Sequence, residues 1–163
     1  MRRVVLVVLT SALFPCAAGE NVRGLAGLAD SGEWALAGIS GGGKTAAIDR
    51  DELGALGDVF RDAFTLRVSR AEGEYVLSGK AAPNRFNMPV RVAEDGTLAV
   101  SPPAATLMAA FIEPSVLKEA EYLRYLANTT AVKESGGQLV LETADEAGQS
   151  VSLTFVPFGV SEL

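Results

Sequence analysis

The chain has 163 residues, of which 48% are apolar, enough for one domain with a single hydrophobic core. It contains no histidine, which excludes a Ser-His-Asp or Cys-His nucleophile, a histidine metal site and a histidine general base. Its net charge of −6, without basic clusters, argues against nucleic acid or anionic lipid as a partner.

The first 18 residues have the organisation of a secretory signal. Arg2 and Arg3 form a basic start, residues 4–14 are an apolar run, and small residues follow up to Ala18. The run is too short to span a bilayer as a stable helix. An uncleaved anchor or a buried strand is the alternative. We expect export to the periplasm or beyond, with a domain over residues 30–158.

Cys16 is the only cysteine, and it lies where the apolar run ends. A lipoprotein signal has an acylated cysteine at this place, and Leu13 suits that pattern, whereas Pro15 does not. Cleavage after Ala18 would discard Cys16 and leave a free protein; cleavage before Cys16 would leave an inner- or outer-membrane lipoprotein. Both outcomes stay open, and Pro15 favours the first. Only a lipid at Cys16 would bring the domain to a membrane.

Residues 38–45 read GISGGGKT, which fits the phosphate-binding pattern GxxxxGK[ST]. The backbone of such a loop holds phosphates, and its lysine reaches the outer ones. The motif functions only between a buried parallel strand and a long helix, so the surrounding elements decide its meaning.

Most of the chain after Trp34 alternates apolar and polar residues, the pattern of strands with one buried face. Trp34 itself is expected in the core. Strands are expected around residues 34–38, 64–69, 75–78, 90–92, 98–100, 139–141 and 151–155. Their connections are short, and Asp95 followed by Gly96 is the strongest hairpin signal. Since such short connections force antiparallel neighbours, the sequence predicts an antiparallel meander.

One segment, residues 114–127, has a strong helical period. Four of its apolar residues share one face: Val116, Ala120, Leu123 and Ala127. We therefore expect Leu123 to be buried against the sheet. Tyr122 and Tyr125 lie off this face and either cover the sheet edge or contact a partner.

A weaker helix is expected over residues 51–61. Four acidic residues lie in or beside it and could suggest a cation site or a carboxylate hydrolase: Asp49, Asp51, Glu52 and Asp58. Their spacing is not that of a calcium-binding loop, and acidic residues on a short surface helix are ordinarily solvated. We expect no metal.

These elements argue against a P-loop domain, which alternates strands and helices around a parallel sheet. One good helix and several hairpins do not supply that setting. We interpret GISGGGKT as a chance match in a flexible loop after the Trp34 strand, and expect neither nucleotide nor another cofactor.

The order of several short segments is informative. They are GEWALAGI at residues 32–39, LSGK at 77–80, AAPNRF at 81–86, TLMA at 106–109, EAEYL at 119–123 and QLVL at 138–141. This ordered set, over residues 30–156, resembles the META domain, the family of the heat-shock protein HslJ. The resemblance implies an α+β fold, a curved and partly barrel-like antiparallel sheet with a helix packed on it. It also implies a place in the bacterial envelope, heat-shock induction, novobiocin resistance and no established catalytic reaction.

Two positions depart from the pattern of many members. Where they have Gly-Cys-Asn-Arg, this chain has Pro83 before Asn84 and Arg85, and where they have a second cysteine it has Ala110. Thiol chemistry proposed for relatives therefore cannot apply here. Asn84 and Arg85, with the two tyrosines, form a candidate ligand or partner patch. The structural interpretation, which we favour, is that Asn84 caps a turn and Arg85 pairs with an acid.

The sequence thus favours an exported, non-catalytic META/HslJ-like envelope protein that is monomeric. Its role would be binding, or stress-related support of the envelope, with an envelope protein or a small ligand as partner. Two alternatives remain: a carrier that holds a small ligand inside the curved sheet, and a hydrolase that uses serine or carboxylate chemistry.

Overall fold

A computed structural model describes residues 17–29, 31–109 and 112–159 of the chain. This part contains three α-helices, one short 3₁₀ helix and ten strands. The helices are α1 (Ala17–Leu28), α2 (Arg50–Ala55), the 3₁₀ helix (Asp58–Phe60) and α3 (Glu119–Ala127). The strands are β1 (Glu33–Gly41), β2 (Lys44–Ala47), β3 (Thr65–Ala71), β4 (Glu74–Lys80), β5 (Arg85–Val92), β6 (Leu98–Val100), β7 (Ala104–Ala105), β8 (Ala131–Ser135), β9 (Gln138–Ala144) and β10 (Ser150–Pro157).

All strands belong to one antiparallel sheet that curves into an almost barrel-shaped body. Its order is β6-β5-β4-β3-β1-β10-β9-β8, while β2 pairs with β1 and β7 pairs with β5. The predicted fold class is confirmed, and so are the hairpins at Glu72–Gly73, Asp95–Gly96, Gly136–Gly137 and residues 146–149. One pairing has no counterpart in a plain meander: β1 lies beside β10 as well as β3, so the first and last strands meet at the centre.

The concave side of the sheet is filled by a core of large side chains. Trp34 belongs to it, as expected, and its indole nitrogen donates a hydrogen bond of 2.9 Å to Ser31 Oγ. The Tyr122 ring meets Phe64 and Phe86 edge to face, with centroids 5.3 and 6.0 Å apart. These rings occupy the interior that a small-ligand carrier would need.

Helix α3 is shorter than predicted and rotated about its axis. It begins at Glu119 rather than near Pro114, because residues 115 and 116 form a bend. Its buried residues are Tyr122, Tyr125 and Leu126, whereas Leu123 is only partly buried. The prediction that Leu123 lies at the centre of the buried face was wrong.

The two tyrosines explain this rotation. A tyrosine ring buries more apolar area than an alanine or leucine, provided that its hydroxyl finds a partner. Tyr122 Oη donates to Thr65 O over 3.1 Å, and Tyr125 Oη donates to Glu121 Oε1 over 3.0 Å. Both hydroxyls are therefore satisfied, and the aromatic face turns inward.

Helix α1 was not predicted. It precedes residue 30, where we expected the domain to begin, and Leu25 and Leu28 are fully buried in the core of the sheet. The predicted basic start, the apolar run and Cys16 lie outside the described residues. None of the helices in the described part of the chain is long and apolar enough to cross a membrane.

Candidate functional site

The glycine-rich stretch forms a tight hairpin turn rather than the flexible loop that we expected. Gly42 and Gly43 connect β1 to β2 with φ of 58° and 75°. Positive φ at both central positions defines a type I′ turn and explains the two glycines. A strand follows the turn, so there is no helix N-terminus here to hold a phosphate.

Two groups could attract a phosphate at this turn, the backbone at Gly42 and the amine of Lys44. Each of them already has an acidic neighbour. A Cβ atom placed on Gly42 would lie 2.6 Å from Asp145 Oδ2, so a carboxylate covers the turn. Lys44 Nζ donates to Glu121 Oε1 over 2.9 Å. This setting supports the prediction that GISGGGKT binds no nucleotide, which stays a prediction.

Lys44 belongs to a small polar cluster between β2 and α3. Glu121 accepts hydrogen bonds from Lys44 and from Tyr125. Burial alone would raise the pKa of Glu121, but the two hydrogen bonds, together with the positive charge of Lys44 and a backbone hydrogen bond, outweigh burial and hold the pKa below its ordinary value. Burial and the bond to Glu121 raise the pKa of Tyr125 to about 12. At neutral pH the cluster is a lysine–carboxylate pair with a neutral tyrosine, which ties the hairpin to the helix.

Asn84 is the centre of a second, larger junction. Its Oδ1 accepts from Met108 N over 2.6 Å, and its Nδ2 donates to Met108 O over 3.2 Å, so one side chain holds both backbone groups of that residue. Thr106 Oγ1 also donates to Asn84 Oδ1 over 2.9 Å. Nδ2 reaches Glu119 on α3 at 3.0 Å. Asn84 therefore fixes the loop after β7 to the start of α3.

This anchored loop exposes apolar side chains. Leu107 lies between the two residues that Asn84 binds and is 99% exposed, while Met108 and Ile112 are each 55% exposed. Thr106 is held further by Arg85, whose backbone nitrogen donates to Thr106 Oγ1 over 3.1 Å. The Thr106 backbone nitrogen also donates to Arg85 O over 3.0 Å, so five hydrogen bonds to residues 106 and 108 hold the backbone on both sides of this exposed leucine.

A groove of about 200 Å³ opens beside the loop, and we call it the apolar groove. It is lined by Leu56, Val59, Phe60, Pro83, Met108, Ala109 and Ile112. A second cleft of about 260 Å³ shares Pro83 and Met108 with it and is lined also by Glu113 and Glu119. The apolar groove therefore has a carboxylate-bearing cleft as its neighbour. Leu56 and Val59 are exposed although they are large and apolar.

The four predicted patch residues do not share one surface. Asn84 is almost fully buried, and Tyr122 and Tyr125 lie in the core, since their rings fill the space between α3 and the sheet. Arg85 is exposed, and the described residues contain no ion pair for it. Asn84 and Arg85 do border the loop. The two tyrosines lie in the core and not at the surface, so they are not part of the predicted patch.

Two of the four acidic residues near α2 have local side-chain partners. Asp49 caps the helix, since its Oδ1 accepts from the backbone nitrogens of Asp51 and Glu52 at 2.8 and 3.2 Å. Asp58 pairs with Arg61 over 3.4 Å. Within the described residues, no group of three or more Cys, Asp or Glu side chains is placed to hold a metal ion.

Comparisons with known proteins show the family through one family model and support the fold through one solved structure. A search of the curated proteins finds no match. An NMR structure of a protein from Burkholderia xenovorans is 19% identical, with a TM-score of 0.55 over 95% of this chain and 97% of that one. A crystal structure of a DUF4847 family protein from Bacteroides vulgatus is 15% identical, with a TM-score of 0.45 over 80% and 94%. The META domain matches residues 26–155, and the chain belongs to that family.

Proposed function

We propose that this protein is an exported, non-catalytic envelope protein that binds a partner protein through Leu107 and the apolar groove. The observation that carries the proposal is that Asn84 holds a fully exposed leucine in a fixed loop. Because the backbone on both sides of Leu107 is already held, its loop loses little further entropy when it binds, which makes Leu107 a good anchor for a partner.

The neighbouring charges favour one kind of partner. Glu113 and Glu119 line the cleft that adjoins the apolar groove, and the whole chain carries a charge of −6. A segment that carries apolar side chains next to lysine or arginine would match both surfaces. Export and the absence of catalysis rest on the signal-like N-terminus and on the resemblance to HslJ. The filled interior of the sheet gives less support to a small-ligand carrier.

Two synthetic peptides test this binding. Both contain the same leucines; one has lysines between them and the other has glutamates. We expect the basic peptide to bind the purified protein at least tenfold more tightly by fluorescence anisotropy. Leu107→Asp should weaken that binding at least tenfold, because it removes the anchor, without changing stability.

Ala47→Asp is the matched control, since it adds the same charge at an exposed position of β2. Asn84→Ala should also weaken binding, although Leu107 remains, because the loop loses its anchor. Equal affinity for the two peptides, or a Leu107→Asp protein that binds as wild type does, would show that this surface is not the site.

A further inference from the structure

Among the described residues, no strand pairing closes the sheet. Its two end strands in the described part of the chain are β6 and β8, which lie at opposite ends of the strand order. Helix α1 packs mainly on β8 and also contacts β3 and β5. It therefore lies across the gap that keeps the sheet from being a complete barrel.

Asn21 of α1 joins both sides of this gap. Its side chain is 3% exposed, and its Oδ1 accepts from Val132 N of β8 over 3.0 Å. Its Nδ2 donates to Gly96 O, in the turn between β5 and β6, over 2.9 Å, and to Thr130 O over 3.3 Å. One amide side chain thus replaces the hydrogen bonds that a neighbouring strand would supply to the edge of β8.

The helix that carries this amide has little stability of its own. It has twelve residues, and isolated helices of that length are marginal in water. Three of the twelve are glycines, Gly19, Gly24 and Gly27, each of which lowers helix stability relative to alanine. An open groove of about 550 Å³ also runs between α1 and residues 132–135. Contact with the sheet, not helix propensity, holds α1 in place.

We propose that α1 is a detachable strap: it closes the gap between β6 and β8 and opens while the rest of the sheet stays folded. Its opening removes Asn21 from Val132 and frees the edge of β8. The strap is thus the part of the domain that opens first. It lies at the N-terminal end, so that one expected cleavage position, before Cys16, directly precedes it and the other, after Ala18, falls within its first turn. This inference does not depend on the partner that binds Leu107.

Two glycines of the strap allow a sharp test because they face different surroundings. A Cβ on Gly24 would lie 2.8 Å from Val132 O, too close to fit without moving the helix away from β8. A Cβ on Gly27 would meet Glu134 Oε2 at 3.8 Å, an ordinary contact. Gly27→Ala therefore strengthens the closed strap, while Gly24→Ala pushes it open, although both changes raise helix propensity alike.

The measurement is native-state hydrogen exchange of the purified full-length protein and both variants. In the wild type we expect the Val132 amide and the amides of α1 to exchange together, at least tenfold faster than the amides of β1 and β10. Gly27→Ala should slow both about fivefold, and Gly24→Ala should accelerate both at least tenfold. The amides of β1 and β10 exchange through global unfolding, which includes the opening of α1, so they should shift in the same direction and by no larger a factor. They should stay at least tenfold slower than the amides of α1 in both variants, which also shows that the sheet still folds.

Three results would each overturn the strap. The two variants could shift exchange in the same direction, which would indicate helix propensity alone. The Val132 amide could exchange at the wild-type rate in both variants, which would mean that α1 does not protect it. Finally, α1 could exchange only with the central strands, at the rate of global unfolding.

Discussion

Asn84 shows how far a single residue can be understood from the sequence. Its place before Arg85, in the segment that resembles the META pattern, identified it as a candidate. Asn84 is buried, but its side chain bonds Met108, Glu119 and Thr106 instead of capping the turn that we expected. Its partners Met108 and Glu119 were not predictable, because they lie far along the chain and no local period connects them. The exposure of Leu107 was equally unpredictable, since no sequence signal tells whether an apolar residue in a loop is exposed.

Glu121 provides a test at the level of one ionisable group. Because its pKa is lowered in the folded protein, the ionised form stabilises the fold. This contribution is fully present above the unfolded pKa, near 4.5, and is lost as the pH falls through the lower folded value. We expect urea midpoints to drop more between pH 7 and pH 3 in wild type than in Glu121→Gln.

The exposed Glu52→Gln serves as the matched control, and its pH dependence should follow that of the wild type. If Glu121→Gln also loses stability as steeply as the wild type, the hydrogen bonds from Lys44 and Tyr125 do not stabilise the carboxylate.

At the level of elements, strands were easier to predict than helix faces. When apolar and polar residues alternate along a strand, only one face of that strand can be the buried one. The glycine-containing turns then determine which strands are neighbours. Helix α3 offers two overlapping faces, one with Leu123 and one with Tyr122 and Tyr125. The choice depends on whether the hydroxyls find partners across the fold, and Thr65 supplies one only after β3 is in place. Helix α1 was missed because its three glycines and its position after the signal-like segment resemble a linker.

The rotation of α3 predicts which leucine matters for stability. Leu126 is fully buried, so Leu126→Ala should cost about 2–5 kcal/mol through lost burial and a cavity. Leu123 is only partly buried, so Leu123→Ala should cost clearly less, within the common range of about 0.5–3 kcal/mol. The exposed Lys118→Ala should stay within about 0.5 kcal/mol of wild type. Urea denaturation of the three variants measures this order, and equal midpoints for the two leucine variants would contradict the helix orientation.

At the level of the whole molecule, the proposed export makes a definite prediction about mass. Cleavage after Ala18 removes Cys16 and leaves Gly19 as the first residue, just inside α1. Cleavage before Cys16 with acylation keeps that cysteine first and adds several hundred daltons, in chains that anchor the protein at about 0.8 kcal/mol per buried CH₂. Intact mass spectrometry of the protein from the envelope of its own cells distinguishes the two. A full-length, unmodified chain recovered from the cytoplasm would refute export in both forms.

The pairing of β1 with β10 also has a consequence for how the chain reaches its folded state. Leu36 faces Phe155 and Ile39 faces Leu153, so the centre of the sheet is made by segments from opposite ends of the domain. Contacts between such distant segments form late, because the entropy of closing a long loop must be offset first. Until the final strand is available, a chain emerging N-terminus first has no partner for one side of β1. The topology therefore delays folding until synthesis is almost complete. For the proposed export, this delay would keep the polypeptide unfolded while it crosses a membrane.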